Sequence, residues 1–192
     1  MTNVLNNVVA GRPKSTGGAY RAPIGSVLPT DSTTALDAAF KSLGYIGDAG
    51  VTETIGRTTT TVKAWGNDIV KVLQTDFAVT YQVTLIESLS ESVAQAVNGD
   101  ANVVATAATT TAGNKLAISV NSAELEHSEW AFDIADLETS MRLVLPNAQV
   151  LTVGDVTYND GAVVAYPVTI QAFPDASGNS AYKYSDDGQK TA

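Results

Sequence analysis

The chain has 192 residues, and its 20 acidic and 11 basic side chains give a formal net charge of −9. This length supports one domain with a sizeable core, while the negative charge argues against a protein that binds nucleic acid by neutralising its phosphates. The absence of cysteine excludes disulfides, thiol catalysis and thiolate metal sites. No apolar run approaches the 18 or so residues of a membrane-spanning helix, and no signal peptide is recognisable, so we expect neither a membrane partner nor export.

The first 43 residues are predicted to form an N-terminal arm with a short helix. Residues 1–30 are rich in glycine and proline, which is typical of an extended segment rather than a packed one. In residues 31–43, apolar residues recur at helical spacing between an N-cap candidate, Thr30 or Asp31, and a stop signal at Gly44. These apolar residues are Leu36, Phe40 and Leu43.

From Tyr45 onward the sequence mostly predicts strands, the longest of which ends near Ile86. The first strands are predicted at 51–56, 58–65 and 68–86, with breaks at Gly56 and at "WGND" (65–68). Strict alternation over 76–86 predicts that one side of this strand faces a core. The predicted core residues are Phe77, Val79, Tyr81, Val83 and Leu85, and the residues on the other side include Asp76, Thr80, Gln82 and Thr84.

A helix is predicted at 88–98, with Ser88 and Glu91 as a capping box and Asn98-Gly99 as its end. Its apolar face comprises Leu89, Val93 and Val97. Further strands are predicted at 102–107, 115–121, 129–135, 140–146, 149–157 and 163–173. Pro167 should lie on an edge strand, or where its missing N–H faces away from a neighbour.

These elements predict a mainly β (α+β) protein, an antiparallel β-sandwich or barrel with one flanking helix and extended terminal arms. The strands are assigned to a domain at 44–173, followed by a polar C-terminal tail at 174–192. In the strand at 129–135, alternation assigns Trp130, Phe132 and Ile134 to the core. The same alternation leaves Glu129 and Asp133 outside it.

No group of residues satisfies the pattern of a catalytic or metal site. His127, the only histidine, lies among glutamates in a charged segment, which favours a solvated turn over a general base. The segment 175–186 begins like a calcium loop but lacks the expected glycine and final glutamate. Acidic residues near Asp133 are more simply explained as solvated. We therefore predict no catalytic residues, no metal and no cofactor.

Several ordered segments resemble one protein family. "APIGSVLPTD" (22–31), "GVTET" (50–54) and "KAWG" (63–66), with later segments such as "LQTDFAVTYQVTLIES" and "GDVTYNDG", are similar to the major tail proteins, or tail tube proteins, of long-tailed, non-contractile bacteriophages of actinobacteria. The resemblance implies a β-sandwich protomer that forms stacked hexameric rings, the conduit for genome ejection. It also implies a virion tail location after assembly in the host cytoplasm.

The same resemblance implies partners and candidate sites. The chain itself, the tape measure protein, the tail terminator and distal tail proteins are the expected partners, and DNA is expected to pass without specific binding. Alternation places Asp76 and Asp133 off the core face of their strands. If these strands line the tube, both are candidate lumen-facing carboxylates, whose charge would repel phosphate. Arg21, Pro23 and Ile24 are candidate contacts of an arm that joins successive rings.

Other protein classes remain open at this point. A tube protomer of a contractile injection or secretion system would share the fold. A β-sandwich adhesin or pilin-like module is weakened by the missing signal peptide, and an enzyme is weakened by the lack of a catalytic pattern.

Overall fold

The computed structural model describes residues 8–14 and 17–190 and confirms the mainly β class. The strands in chain order are β1 (Ala19–Pro23), β2 (Lys41–Ser42), β3 (Ile46–Lys63), β4 (Ile69–Leu85), β5 (Val103–Thr106), β6 (Lys115–Ile118), β7 (Ser128–Asp136), β8 (Thr139–Val153), β9 (Tyr166–Ala172) and β10 (Tyr182–Asp186). The helix α1 (Glu91–Asn98) and a 3-10 turn (Asp100–Asn102) lie between β4 and β5. Within the described residues, no helix is long and apolar enough to cross a membrane.

Eight strands form one antiparallel sheet in the order β2-β1-β7-β8-β9-β4-β3, with β10 also paired to β8. Strand β7 runs along one edge of β8. The opposite edge of β8 pairs with β10 over residues 140–144 and with β9 over residues 148–153. The 15-residue strand β8 therefore belongs to both halves of the sheet. Strands β5 and β6 form a separate two-stranded sheet.

The core lies between the two halves of the large sheet. Tyr81 of β4 stacks on Phe132 of β7 with ring centroids 6.2 Å apart, and Phe132 stacks in turn on Trp130. All three side chains are fully buried. Large aromatic rings bury more apolar area than other side chains, so this stack is a major contribution to the stability of the fold.

Helix α1 is shorter than the sequence predicts. It begins at Glu91, because the N–H of Ser90 closes a turn on the carbonyl of Glu87 at 3.0 Å and Ser90 has extended backbone angles. The Ser88 capping box is therefore wrong, and Leu89 is 90% exposed rather than on the buried face. The predicted end is confirmed, since Gly99 follows the last helical residue with φ +90°. The buried face consists of Val93, Ala94, Ala96 and Val97.

The helix predicted at 31–43 is wrong. The Asp31 carboxylate accepts hydrogen bonds from the backbone N–H groups of Thr33 and Thr34 at 2.8 and 2.6 Å, which closes a local turn. Asp, Ser and Thr side chains compete with helical hydrogen bonds in this way. Phe40 and Leu43 are nevertheless buried, as their spacing suggested, although β2 replaces the last helical turn.

Both segments predicted as terminal arms contribute strands to the sheet. Strand β1 pairs with β7 and buries Ala19 and Ala22, and strand β10 pairs with β8. Residues 1–7, 15–16 and 191–192, also assigned to the arms, lie outside the described residues. The predicted separation of a packed domain at 44–173 from unpacked arms is therefore wrong for β1 and β10.

Pro167 lies in a strand that is paired on both sides, so the edge-strand alternative is wrong. The carbonyl of Pro167 accepts a hydrogen bond from the N–H of Gly154 at 2.7 Å, on the side of β8. The N and C=O of one strand residue point to the same side, so the proline nitrogen also faces away from Thr84, its partner in β4. The proline nitrogen therefore faces the side of β8, where the paired register of β8 and β9 ends at Val153 and Val168. The second alternative holds only with respect to β4.

Candidate assembly surfaces

A long hairpin of β3 and β4 extends beyond the rest of the sheet. The strands have 18 and 17 residues, and they meet at the turn 64–68 that the sequence predicts as a break. Strand β9 pairs with β4 only from Val79 to Leu85. Residues 69–78 of β4 therefore continue with β3 alone, and at about 3.3 Å per residue they extend the hairpin by roughly 30 Å.

The predicted core face of β4 is buried only where another layer lies opposite. Val79, Tyr81, Val83 and Leu85 are at most 5% exposed, as predicted. Phe77, on the same face, is 42% exposed, so its assignment to the core is wrong. The guanidinium of Arg57 lies 4.5 Å from the centroid of the Phe77 ring, a cation–π contact that covers one face of the ring.

An exposed apolar stripe continues this face along the outer half of the hairpin. The pairing register, with a bulge between Thr58 and Thr59, aligns alternate residues of both strands on one side. The exposed members are Ile55 (51%), Phe77 (42%), Val72 (57%) and Ile69 (61%), and fully exposed Trp65 lies in the turn.

On the opposite face, the part formed by residues 52–58 of β3, 76–84 of β4 and β9 is polar but almost uncharged. The paired positions on this face carry Thr52, Thr54, Gly56 and Thr58 from β3, Asp76, Ala78, Thr80, Gln82 and Thr84 from β4, and Pro167, Thr169 and Gln171 from β9. Asp76 is the one charged residue among these positions, and it is exposed. We call this surface the threonine face.

Asp133 does not have the exposed position that the lumen prediction requires. Its carboxylate is 4% exposed and accepts hydrogen bonds from Arg142 Nε at 2.5 Å and Nη2 at 2.9 Å. Arg142 also donates to the carbonyls of Asp31 and Thr34 at 3.0 and 2.8 Å. Alternation correctly separated Asp133 from the aromatic core, but the segment around residues 31–34 covers that second face of β7.

Glu129 is buried in the same way, contrary to its predicted exposure. The carboxylate is 3% exposed and accepts the N–H of Gly25 at 2.9 Å. Burial raises the pKa of Glu129, and the backbone hydrogen bond opposes part of that rise. Glu129 therefore fixes the turn that follows β1 instead of facing solvent.

The three predicted arm residues lie in or next to β1. Arg21 is within the strand, and its guanidinium pairs with the Asp100 carboxylate at 2.6 Å. This pairing contradicts a free arm at Arg21. Pro23 is exposed and is the last paired residue of β1, opposite Ser128. Ile24 follows the strand and is 51% exposed beside Gly25, whose φ is +91°. Their contact with another ring stays a prediction.

The residues considered for chemistry have local structural partners. His127 Nδ1 lies 2.6 Å from Asn147 Oδ1, and its ring packs on Phe173. The Asp175 carboxylate accepts the Tyr182 hydroxyl at 2.5 Å together with N–H groups of its own loop. Within residues 8–14 and 17–190, no group of three or more acidic or histidine side chains is placed to hold a metal ion.

Comparison with known proteins identifies the family of this chain. The family model described as phage tail tube protein matches residues 4–192. The chain belongs to this family. It is accordingly a structural protein that forms the tail tube of a phage virion, and the adhesin and enzyme hypotheses are set aside.

Two solved structures of tube assemblies are also similar to this tail tube protein. One is the sheath-tube complex of an extracellular contractile injection system, PVC, in the extended state, with a TM-score of 0.44, 6% identity and coverage of 96% of this chain and 100% of the other. The second is the tube terminating cap of the anti-feeding prophage, with a TM-score of 0.44, 8% identity and coverage of 97% and 100%. No curated protein matches the chain.

Proposed function

We propose that this tail tube protein forms rings of six copies that stack into the tube of a long, non-contractile tail of a phage that infects actinobacteria. The proposal of a ring rests on the outer edge of β3, the edge that does not pair with β4. This strand has 18 residues and, among the described residues, pairs only with β4. The number of copies, the tail type and the host follow from the resemblance of the quoted segments.

An open edge of this length favours pairing between copies. Natural proteins shorten, bend or charge edge strands to prevent association, whereas β3 contains no proline and carries four successive threonines at 58–61. Pairing of this edge with a different edge of the next copy is a heterologous contact, which closes into a ring when the rotation permits. The edge of β3 is therefore proposed as the contact within a ring.

The threonine face is proposed to line the lumen, with Asp76 as a repeated carboxylate. Hydroxyl and amide groups carry no charge with which to hold phosphate, and Asp76 repels it. Such a surface suits DNA that must pass without binding. The tape measure protein is proposed to occupy the lumen before ejection, and the tail terminator and distal tail proteins are proposed to bind the ends of the tube.

Electron microscopy of the purified protein tests the ring. We expect rings or tubes of uniform bore with sixfold symmetry, formed by the chain alone. Particles that stay monomeric at every concentration and salt condition would contradict the proposal. Tubes with a symmetry other than sixfold would contradict the proposed six copies per ring, but they would still agree with pairing through the edge of β3.

Charge reversal at Asp76 tests the lumen assignment. A phage that carries Asp76→Lys should assemble its tail and eject DNA more slowly, because six new cations per ring would attract phosphate, and added salt should reduce the delay. Glu126→Lys is a matched control, since Glu126 is exposed but lies outside the threonine face. Equal ejection rates for the two variants would show that Asp76 does not face the DNA.

A further inference from the structure

The carboxyl group of Glu129 has a hydrogen-bond partner for only one of its two oxygens. Oε1 accepts the N–H of Gly25 at 2.9 Å. Oε2 is buried, and none of the described residues forms a hydrogen bond with it. An ionised carboxylate with an unpartnered oxygen is costly to bury, whereas a neutral carboxylic acid costs far less. The geometry therefore favours a Glu129 that carries a proton.

The surroundings of Glu129 do not compensate a negative charge. Residues 24–30, which include its hydrogen-bond partner, have no titratable side chain. The titratable or charged side chains of the neighbouring elements are Tyr20 on β1, His127 before β7, Asp133 on β7 and Arg142 on β8. None of these four is a cause of the raised pKa of Glu129, which results from burial and is opposed in part by the N–H groups of Gly25 and Ser26.

The segment that follows β1 is attached to the second face of β7 and β8 at two points. The first is the hydrogen bond between Gly25 and Glu129. The second is Arg142, which donates to two backbone carbonyls within residues 31–34. A guanidinium stays protonated throughout the neutral and mildly acidic range, so this second attachment keeps its donor there. We call residues 24–30, between the two attachments, the strap.

The strap buries few apolar groups. Pro29 is buried and Leu28 is half-buried, but Ile24 and Val27 are 51% and 71% exposed. Leu28 packs against a small buried cluster that comprises Ala22, Phe40 and Ala131. A segment with so few buried apolar contacts can open locally while the sheet beneath it stays folded.

We propose that Glu129 holds a proton while the strap is closed, and that loss of this proton releases the strap while residues 31–34 stay attached. The neutral carboxyl group accepts the Gly25 N–H and leaves no charge on its second oxygen. Ionisation puts an uncompensated charge under the strap, and opening admits water to that charge. The open strap uncovers the apolar cluster beneath Leu28. This device belongs to the single copy and does not depend on the proposed ring.

The strap should open as the pH rises. In the open state Glu129 is solvated and has an ordinary pKa near 4.5, and in the closed state burial raises that pKa. Between the two pKa values, each pH unit should favour the open state by up to about tenfold. Below the lower value both states are protonated, and above the higher value both are ionised, so the equilibrium levels off at each end.

Hydrogen exchange of the unassembled full-length chain, corrected for the intrinsic effect of pH on exchange, tests the strap. Residues 24–30 should open more often as the pH rises above about 4.5, while residues 31–34 keep their protection. Glu129→Gln keeps a neutral acceptor and should make strap opening independent of pH. His127→Gln is the matched control, because histidine side chains also titrate in this range, and it should keep the dependence. An unchanged pH dependence in Glu129→Gln would overturn the proposal.

A titration of the unmodified chain provides a test that requires no variant to fold. With the side-chain carboxyl carbons of glutamate labelled, the NMR signal of Glu129 should titrate with a midpoint above 4.5, the ordinary value. A midpoint at or below that value would show that the closed strap accommodates the ionised carboxylate, and it would overturn the proposal. Neither experiment requires rings, so a failure to form rings would contradict only the proposed function.

Discussion

The base and the outer half of the β3–β4 hairpin are parts of the same two strands but have different surroundings. Tyr81 at the base is fully buried, and its hydroxyl donates to Glu53 at 2.5 Å. Phe77, four residues away on the same face, is 42% exposed. The base is covered by β7 and β10, whereas none of the described residues forms a layer opposite the outer half. One hairpin therefore combines a part that stabilises the monomer with a part that is available for assembly.

The largest expected difference between the two parts concerns their aromatic residues. Tyr81→Ala should lower the free energy of unfolding by about 3–5 kcal/mol, because it leaves a cavity beside Phe132 and removes one of the two hydrogen-bond partners of Glu53. Phe77→Ala should lower it by less than about 1 kcal/mol, because the ring is partly in solvent already. Urea denaturation of the monomeric protein measures both. Equal losses would show that the outer half is packed in solution.

The two acidic residues predicted to face the lumen, Asp76 and Asp133, should also differ in their effect on stability. Asp133→Ala leaves the buried Arg142 guanidinium without its carboxylate and should cost about 3–5 kcal/mol of stability. Asp76→Ala, at an exposed position, should change stability by no more than about 0.5 kcal/mol. Thermal unfolding followed by circular dichroism gives the comparison. A tolerated Asp133→Ala would mean that the buried Arg142 guanidinium does not need the Asp133 carboxylate.

Proline substitutions can locate the assembly edge within the outer half. Successive residues of a strand direct their N–H groups to opposite edges, and Thr60 and Thr61 pair with Leu73 and Val72 without an intervening bulge. One of Thr60→Pro and Thr61→Pro should therefore destabilise the hairpin. The other should leave monomer stability nearly unchanged and still prevent tube formation in electron micrographs. If neither variant affects tubes, the edge of β3 is not the contact.

The smallest expected effect is a pH dependence at the base of the hairpin. Burial raises the pKa of Glu53, but hydrogen bonds from Lys183 and Tyr81 outweigh it and lower that pKa below its usual value. Because the pKa of Glu53 is lower in the folded protein, its ionised carboxylate stabilises the fold at pH values above the unfolded pKa near 4.5. This stabilisation is lost as the pH falls through the folded pKa. Glu53→Gln should thus cost up to about 1 kcal/mol at pH 7. The difference should shrink in denaturation curves below pH 4, and a constant difference would contradict this origin.

Local sequence patterns were enough to assign residues to the two sides of each strand. Alternation assigned Val79, Tyr81, Trp130 and Phe132 to one core, and glycine fixed the end of α1, because these signals depend on local backbone geometry. The segment resemblance to tail tube proteins also needed no structure. Each of these results follows from residues close together in the chain.

The residues that lie opposite each side of a strand are known only from the folded chain. Phe77 is exposed because none of the described residues forms a layer over it, and Asp133 and Glu129 are buried because residues about a hundred positions earlier in the chain cover them. Strand β1 forms because its backbone pairs with the edge of β7. Local composition predicts only that this segment is extended. Burial depends on contacts between distant parts of the chain, and a local pattern carries no information about them.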